Sequence, residues 1–289
     1  MITGSFEYHR PTSVDEVVAL LTTHGDTGQI LAGGHSLVPM MKLRLAAPEH
    51  VIDLAGIAEL GGIEEAGGEI RIGATVTQAE IIESEVIAAK APILREAALL
   101  IADPQVRYCG TIGGNVANGD PGNDMPAVMM ALGATYVLRG PKGERDVDPR
   151  SFYEAPYFTA RADDEVLTLI RVPAAAAGQG SAYLKMKRKV GDYATAATAV
   201  ILTLDGGKCS AASVALTNLA ATPLLVEEAA AALVGGAVDD AAIGKAAEAA
   251  MAASDPVADM HGPVEFRRHM AGVMTRRAIE LALSRATGG

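Results

Sequence analysis

Two short segments carry the residue types best suited to holding a charged ligand, Ala32-Gly33-Gly34-His35-Ser36 and Thr111-Ile112-Gly113-Gly114-Asn115. Each is a glycine pair flanked by small polar side chains and set between apolar stretches. Paired glycines let the backbone approach a ligand closely and adopt positive φ, which a Cβ disfavours. Successive free N–H groups in such a turn form a concavity that attracts anions. Two of these turns could clasp a long pyrophosphate-bearing molecule from both sides. The plainer reading is a pair of tight turns whose glycines serve geometry alone, and spacing leaves both open.

Other candidates fall around the second segment and beyond it. Asn118-Gly119-Asp120-Pro121-Gly122-Asn123-Asp124 is a dense polar turn. Asp124 could accept a hydrogen bond from a ribose or ribityl hydroxyl, or simply cap the helix that follows. Lys185-Met186-Lys187-Arg188-Lys189 is a basic run in an acidic chain. It reads either as a solvated strand edge or as charge placed against phosphate or a reduced ring. Tyr193 could cover a flat ring or serve as packing. Rossmann and P-loop signatures are missing: Ile112 stands where GxGxxG needs glycine, and Gly244-Lys245 is followed by Ala246. No Ser/His/Asp or Cys/His arrangement is legible. The six histidines look scattered, with no HExxH or CxxC pattern, so no protein-bound metal is expected.

The elements that must position these residues follow from pattern and composition. The chain has 289 residues, 49% hydrophobic but only 4% aromatic, which favours helix-rich packing of Ala, Val, Leu, Ile and Met over about two domains. Its net charge of −11 argues against a nucleic-acid partner. Two cysteines, Cys109 and Cys209, suit a reducing cytoplasm and cannot supply the four thiolates of an iron–sulfur cluster. No signal peptide or membrane span is expected.

Ser13 to His24 reads as an amphipathic helix with Ser13 and Glu16 at capping-box spacing. Strands are expected at Gln29 to Leu31, Val51 to Leu54, Glu69 to Ala74, Thr135 to Leu138, Val166 to Val172, Ala196 to Leu204 and Ser210 to Leu216. Helices are expected at Thr77 to Glu83, Ala88 to Ala102, Asp124 to Ala131, Glu227 to Leu233, Ala241 to Ala253 and Val264 to Ala286. Pro173 to Gly180 is the best linker.

AGGHSLVPMMKLRL at Ala32 to Leu45, TIGGNVANGDPGNDMPAVMMALGA at Thr111 to Ala134 and KMKRKVGDYATAA at Lys185 to Ala197 resemble the flavin-binding subunits of molybdenum hydroxylases. GDYATAA and NGDPGNDMPA are most similar to those of the carbon-monoxide type. The resemblance runs over essentially the whole chain. It implies an α+β fold in which two subdomains of the vanillyl-alcohol-oxidase (PCMH) type clasp FAD, followed by a small C-terminal α/β domain. The corresponding boundaries are 1–56, 57–172 and 173–289. It implies that Ala32, Gly33, Gly34, His35 and Ser36, with Thr111, Ile112, Gly113, Gly114 and Asn115, hold the cofactor, chiefly its pyrophosphate. Asp124 matches an acidic FAD contact and Leu167 an apolar one, while Lys185 and Tyr193 match positions near the isoalloxazine.

The resemblance also implies a division of labour. A large subunit with a molybdenum cofactor oxidises the substrate, and a small subunit with two 2Fe–2S clusters relays electrons to FAD here. An external acceptor such as a quinone then receives them. The expected assembly is a dimer of heterotrimers in the cytoplasm, compatible with peripheral attachment at the inner face of the membrane. Readings left open are the flavin subunit of a purine or N-heterocycle hydroxylase, a self-contained flavin enzyme, and a non-enzymatic nucleotide-binding scaffold. Valine at Gly33 or Gly114 is expected to block the cofactor and leave the fold intact.

Overall fold

A computed structural model describes residues 2–288. The N-terminal unit is a parallel three-stranded sheet, β1 (Glu7–His9), β2 (Gly28–Leu31) and β3 (His50–Asp53), in the order β1-β3-β2. Helix α1 (Val14–His24) covers it with Val14, Val17, Val18 and Leu21. Ser13 accepts from the Glu16 N–H as the spacing predicts. The Glu16 carboxylate, however, returns to Thr12, at its N–H (2.7 Å) and hydroxyl, rather than to Ser13. The first glycine segment leaves β2 and enters α2 (Leu37–Lys42), so this unit is a strand–turn–helix–strand crossover. Three of the histidines that look scattered in sequence, His9, His24 and His50, meet where β1, β3 and the end of α1 converge.

A mixed-length antiparallel sheet follows: β4 (Ile63–Ala66), β5 (Glu69–Gly73), β6 (Thr135–Gly140), β7 (Gly143–Val147) and β10 (Val166–Pro173), in the order β4-β5-β10-β6-β7. A two-stranded ribbon, β8 (Tyr153–Ala155) and β9 (Phe158–Thr159), lies between β7 and β10 in the chain. The helix expected over Ala88 to Ala102 is broken. Helix α3 (Gln78–Glu83) is followed by α4 (Glu85–Lys90) and α5 (Pro92–Leu100), with Ala91 at φ −149° and ψ 59° between the last two. A residue before proline is driven out of the α region, and Pro92, lacking an N–H, starts a new helix at no cost. Helices α6 (Pro104–Arg107), α7 (Ile112–Ala117) and α8 (Asp124–Leu132) complete this layer.

The third sheet is antiparallel: β11 (Gln179–Met186), β12 (Ala196–Asp205), β13 (Lys208–Thr217) and β14 (Leu224–Leu225). Helix α9 (Glu227–Ala231) adjoins β13, while α10 (Asp240–Ala253) packs on α11 (Val264–Ala286), which lies across β11 and β12. The opposite face meets α5 and α8. Strand β12 therefore has cover on both sides. Ala197, Ala199 and Ile201 join the core of the middle region, and Ala196, Val200 and Leu202 join that of the C-terminal helices. That explains its near-continuous apolar run, interrupted only by threonines before Asp205, since a strand with one wet face would alternate. Strand β11 is absent from the expected set because its residues looked like a linker and a basic edge. The linker itself is short and pinned, with Ala174 donating to the Gly68 carbonyl and Ala175 to that of Lys90.

Candidate cofactor cleft

The two glycine segments, which begin 79 residues apart in the chain, do not behave alike. In the first, the N–H groups of Gly33, Gly34, His35 and Ser36 have no acceptor within the protein among the described residues. Gly34 has φ +73°. This is the open nest that the residue types suggest. The second segment is the N-terminal turn of α7 rather than a loop, with Thr111 as its N-cap. Ile112 donates to Val76 O (2.8 Å), Gly113 to Ala74 O (2.9 Å) and Gly114 to Thr111 Oγ1 (3.1 Å). Its backbone is occupied, so what it offers a ligand is the Thr111 hydroxyl and the Asn115 side chain.

The glycines also do different work from that expected. A Cβ at Gly33 would fall 2.2 Å from the Cys109 carbonyl oxygen, and one at Gly113 would fall 2.5 Å from that of Ala74. Both are needed for close approach to backbone, Gly33 where the turn after β2 docks against residues 109–110 and Gly113 where α7 docks against Ala74. The expectation that valine at Gly33 spares the fold is therefore corrected: the collision is with the protein itself. At Gly114 a Cβ would stand 2.8 Å from Thr111 Oγ1, within its own cap.

Between these segments runs a cleft of about 870 Å³. Ala32 to Ser36, Thr111, Gly113, Gly114, Asn115, Asp124, Leu167, Lys185 and Tyr193 all line it. Ile112 does not; it is fully buried in the core of the middle region, so its inclusion is corrected. Asp124 is also corrected as a helix cap. Asn123 occupies the cap position, and Asp124 is the first helical residue. Its carboxylate accepts from Lys185 Nζ (2.7 Å) and from the Tyr183 hydroxyl (2.5 Å). The side chains of Asp124 and Lys185 are 5% and 2% exposed, so Lys185 belongs to a buried ion pair and not to a solvated edge. Burial pushes the Asp124 carboxyl up, with the Lys185 ammonium and the Tyr183 hydroxyl pulling against it.

The cleft suits FAD by its own chemistry. Asn115 Oδ1 and both side-chain polar atoms of Gln78 are buried without a hydrogen-bond partner among the described residues, and both residues line it. Unpaired buried amides call for a polar ligand. Cations are few: Lys185 and Arg161 are set against Asp26, Glu49 and Asp163. A bound pyrophosphate must therefore rely on backbone N–H groups and hydroxyls, which the first segment supplies.

Residues 4–175 match the FAD-binding domain of molybdopterin dehydrogenases, and residues 181–282 match the CO dehydrogenase flavoprotein C-terminal domain. The chain belongs to this family. It is an FAD-binding oxidoreductase subunit. A carbon monoxide dehydrogenase medium chain from Afipia carboxidovorans is 58% identical over 286 residues, covering 99% of each chain. A solved Cu,Mo-CO dehydrogenase matches with a TM-score of 0.97 at 58% identity, over 99% of this chain and 100% of that one. Quinoline 2-oxidoreductase from Pseudomonas putida 86 matches with a TM-score of 0.93 at 33% identity, over 99% of both.

In this flavoprotein Tyr193 is held in place by the protein itself. Its hydroxyl donates to Asp120 Oδ2 (3.0 Å), and Asp120 Oδ1 accepts from the Gly122 N–H (2.9 Å). Its ring edge rests on Gly122, where a Cβ would lie 2.8 Å from Tyr193 Cδ1. The side chain remains 49% exposed over the cleft. Burial and the adjacent Asp120 carboxylate both push the phenol up, so it stays a hydrogen-bond donor. Sequence reasoning passed over Gln78, which follows the Thr77 cap of α3 and carries no pattern of its own. It also passed over Asp120, whose part is to hold Tyr193.

Proposed function

We propose that this chain is the FAD-bearing medium subunit of an aerobic, molybdenum-containing carbon monoxide dehydrogenase. When bound, FAD would supply the chemistry that links one-electron delivery to two-electron release. The work of this chain's own residues is to bind, orient and tune the cofactor. The free N–H groups of Gly33 to Ser36, with the Ser36 and Thr111 hydroxyls and Asn115, hold the pyrophosphate and its neighbours. Leu167 supplies apolar contact, and Tyr193 covers the ring region. The Asp124–Lys185 pair sets the local charge, with Lys185 favouring the anionic side of the flavin's redox cycle.

Electrons arrive from 2Fe–2S clusters in a small-subunit partner, themselves reduced by a molybdenum large subunit, and leave to an external acceptor such as a quinone. Two such heterotrimers pair in the cytoplasm. The two FAD-binding units span 1–56 and 57–172, and 173–289 forms the third. The observation that carries this reading is the 58% identity with a carbon monoxide dehydrogenase medium chain along the whole length of both. The test is co-purification with the products of neighbouring genes while the visible spectrum is followed on adding carbon monoxide. Bleaching of a flavin-plus-iron–sulfur spectrum is expected. A coloured complex that ignores carbon monoxide and bleaches with an N-heterocycle would overturn the substrate and keep the flavin.

A further inference from the structure

The three histidines that converge on the N-terminal sheet are outside the cleft and unused by the flavin chemistry. One ligand atom from each of His9, His24 and His50 lies within 4.8 Å of the others, and all three side chains are half-buried. His9 Nε2 stands 3.1 Å from His50 Nδ1, and Glu7 Oε2 stands 3.5 Å from the same nitrogen. The backbone enforces this meeting. Glu7 and His50 are direct partners in the parallel ladder, and His9, two residues beyond Glu7, shares its face of β1. His24 is the last residue of α1, and its ring stacks on that of His50 with centroids 3.6 Å apart. Gly28, opposite His50 in the other ladder, leaves the space for it: a Cβ there would stand 3.2 Å from His24 Cβ.

We propose that His9, His24 and His50, with Glu7 beside them, form a binding site for a late first-row divalent metal ion such as Zn²⁺, Ni²⁺ or Cu²⁺. Imidazole nitrogen is the donor these ions favour, and three imidazoles supply three positions of a tetrahedral set, leaving the fourth to water with the Glu7 carboxylate near it. Tetrahedral Zn²⁺ with Zn–N of about 2.0–2.1 Å needs donors roughly 3.3 Å apart. The His9–His50 pair already has about that spacing, and the widest histidine pair must close by no more than about 1.5 Å. Rotation of the His24 ring off its stack on His50 provides this. The ion would replace the hydrogen bond between His9 and His50. It would also clip β1 to β3 and to the end of α1, joining residues that the chain itself separates.

The test is Zn²⁺ competition against a chromophoric chelator with the full FAD-loaded chain, alone and in its assembled complex. One Zn²⁺ per chain is expected, with affinity lowered about 100-fold or more by His9→Gln and by His24→Ala, and less by Glu7→Gln. The flavin absorbance per chain stays unchanged in all three variants, because none of these residues lines the cleft. X-ray absorption of the Zn²⁺ form reads the donor set directly and needs no variant: imidazole scattering is expected. No stoichiometric Zn²⁺, equal affinity in the folded histidine variants, or an all-oxygen shell would each overturn the site.

Discussion

Replacing Lys185 by methionine isolates what its ion pair with Asp124 does. The two side chains are almost fully buried and 2.7 Å apart, so methionine keeps the volume while leaving a carboxylate without its counter-charge. Breaking a buried pair in this way costs about 3–5 kcal/mol, because the remaining charge stays desolvated. Asp124 has an escape that limits the loss. Burial already pushes its carboxyl up, and without Lys185 it rises further and can take a proton, at 1.36 kcal/mol per pKa unit. A carboxyl whose folded pKa is raised above its unfolded value of about 3.9 favours the fold at low pH and loses that contribution as pH rises through the folded value. The Lys185→Met penalty is therefore expected to be smaller at pH 5 than at pH 8. Adding Asp124→Asn should remove most of the penalty, giving a coupling of about 2–3 kcal/mol in the double-mutant cycle. Denaturant unfolding of the four proteins, with and without FAD, measures this. A Lys185→Met protein as stable as the parent at pH 8, or a double variant no better than the single one, would refute the buried-pair account.

Three further outcomes follow from the same geometry. Gly33→Ala should lower the melting temperature of the FAD-free chain together with FAD retention, since its Cβ meets the Cys109 carbonyl at 2.2 Å; an unchanged melting temperature would restore a purely ligand-facing role. Gln78→Leu should reduce FAD retention while leaving the FAD-free chain equally or more stable, because the amide has no partner to lose among the described residues; full FAD content would remove Gln78 from the site. Glu165 forms a fork with Arg145, at 2.6 and 2.7 Å, which holds its carboxyl below the usual range. That contribution is present above the unfolded pKa of about 4.3 and is lost as pH falls through the folded value, so the stability gap between the parent and Glu165→Gln should close in acid. A gap that persists below pH ~3 would contradict it.

Much of the molecule is legible in the chain where local physics decides. The 3.6-residue spacing of Val14, Val17, Val18 and Leu21 marks α1, and the apolar runs of β10, β12 and β13 mark strands. Local signals fail where a neighbour distant in sequence supplies the reason. Strand β11 looks like a linker and a basic edge until α5, α11 and β12 cover it, and Lys185 looks solvated until Asp124 lies beside it. Gln78 gives no signal because an unpaired amide is a property of its surroundings and not of its type.

By itself the sequence determined the element types, the acidic and cysteine-poor character, and the glycine-pair motifs that place the chain among FAD-binding molybdenum hydroxylase subunits. Tertiary structure alone decided how those motifs divide their work. One keeps its N–H groups free for a ligand, while the other spends them on Val76 and Ala74. It alone also brought His9, His24 and His50 together, because a parallel ladder and a helix end join positions that no sequence spacing links.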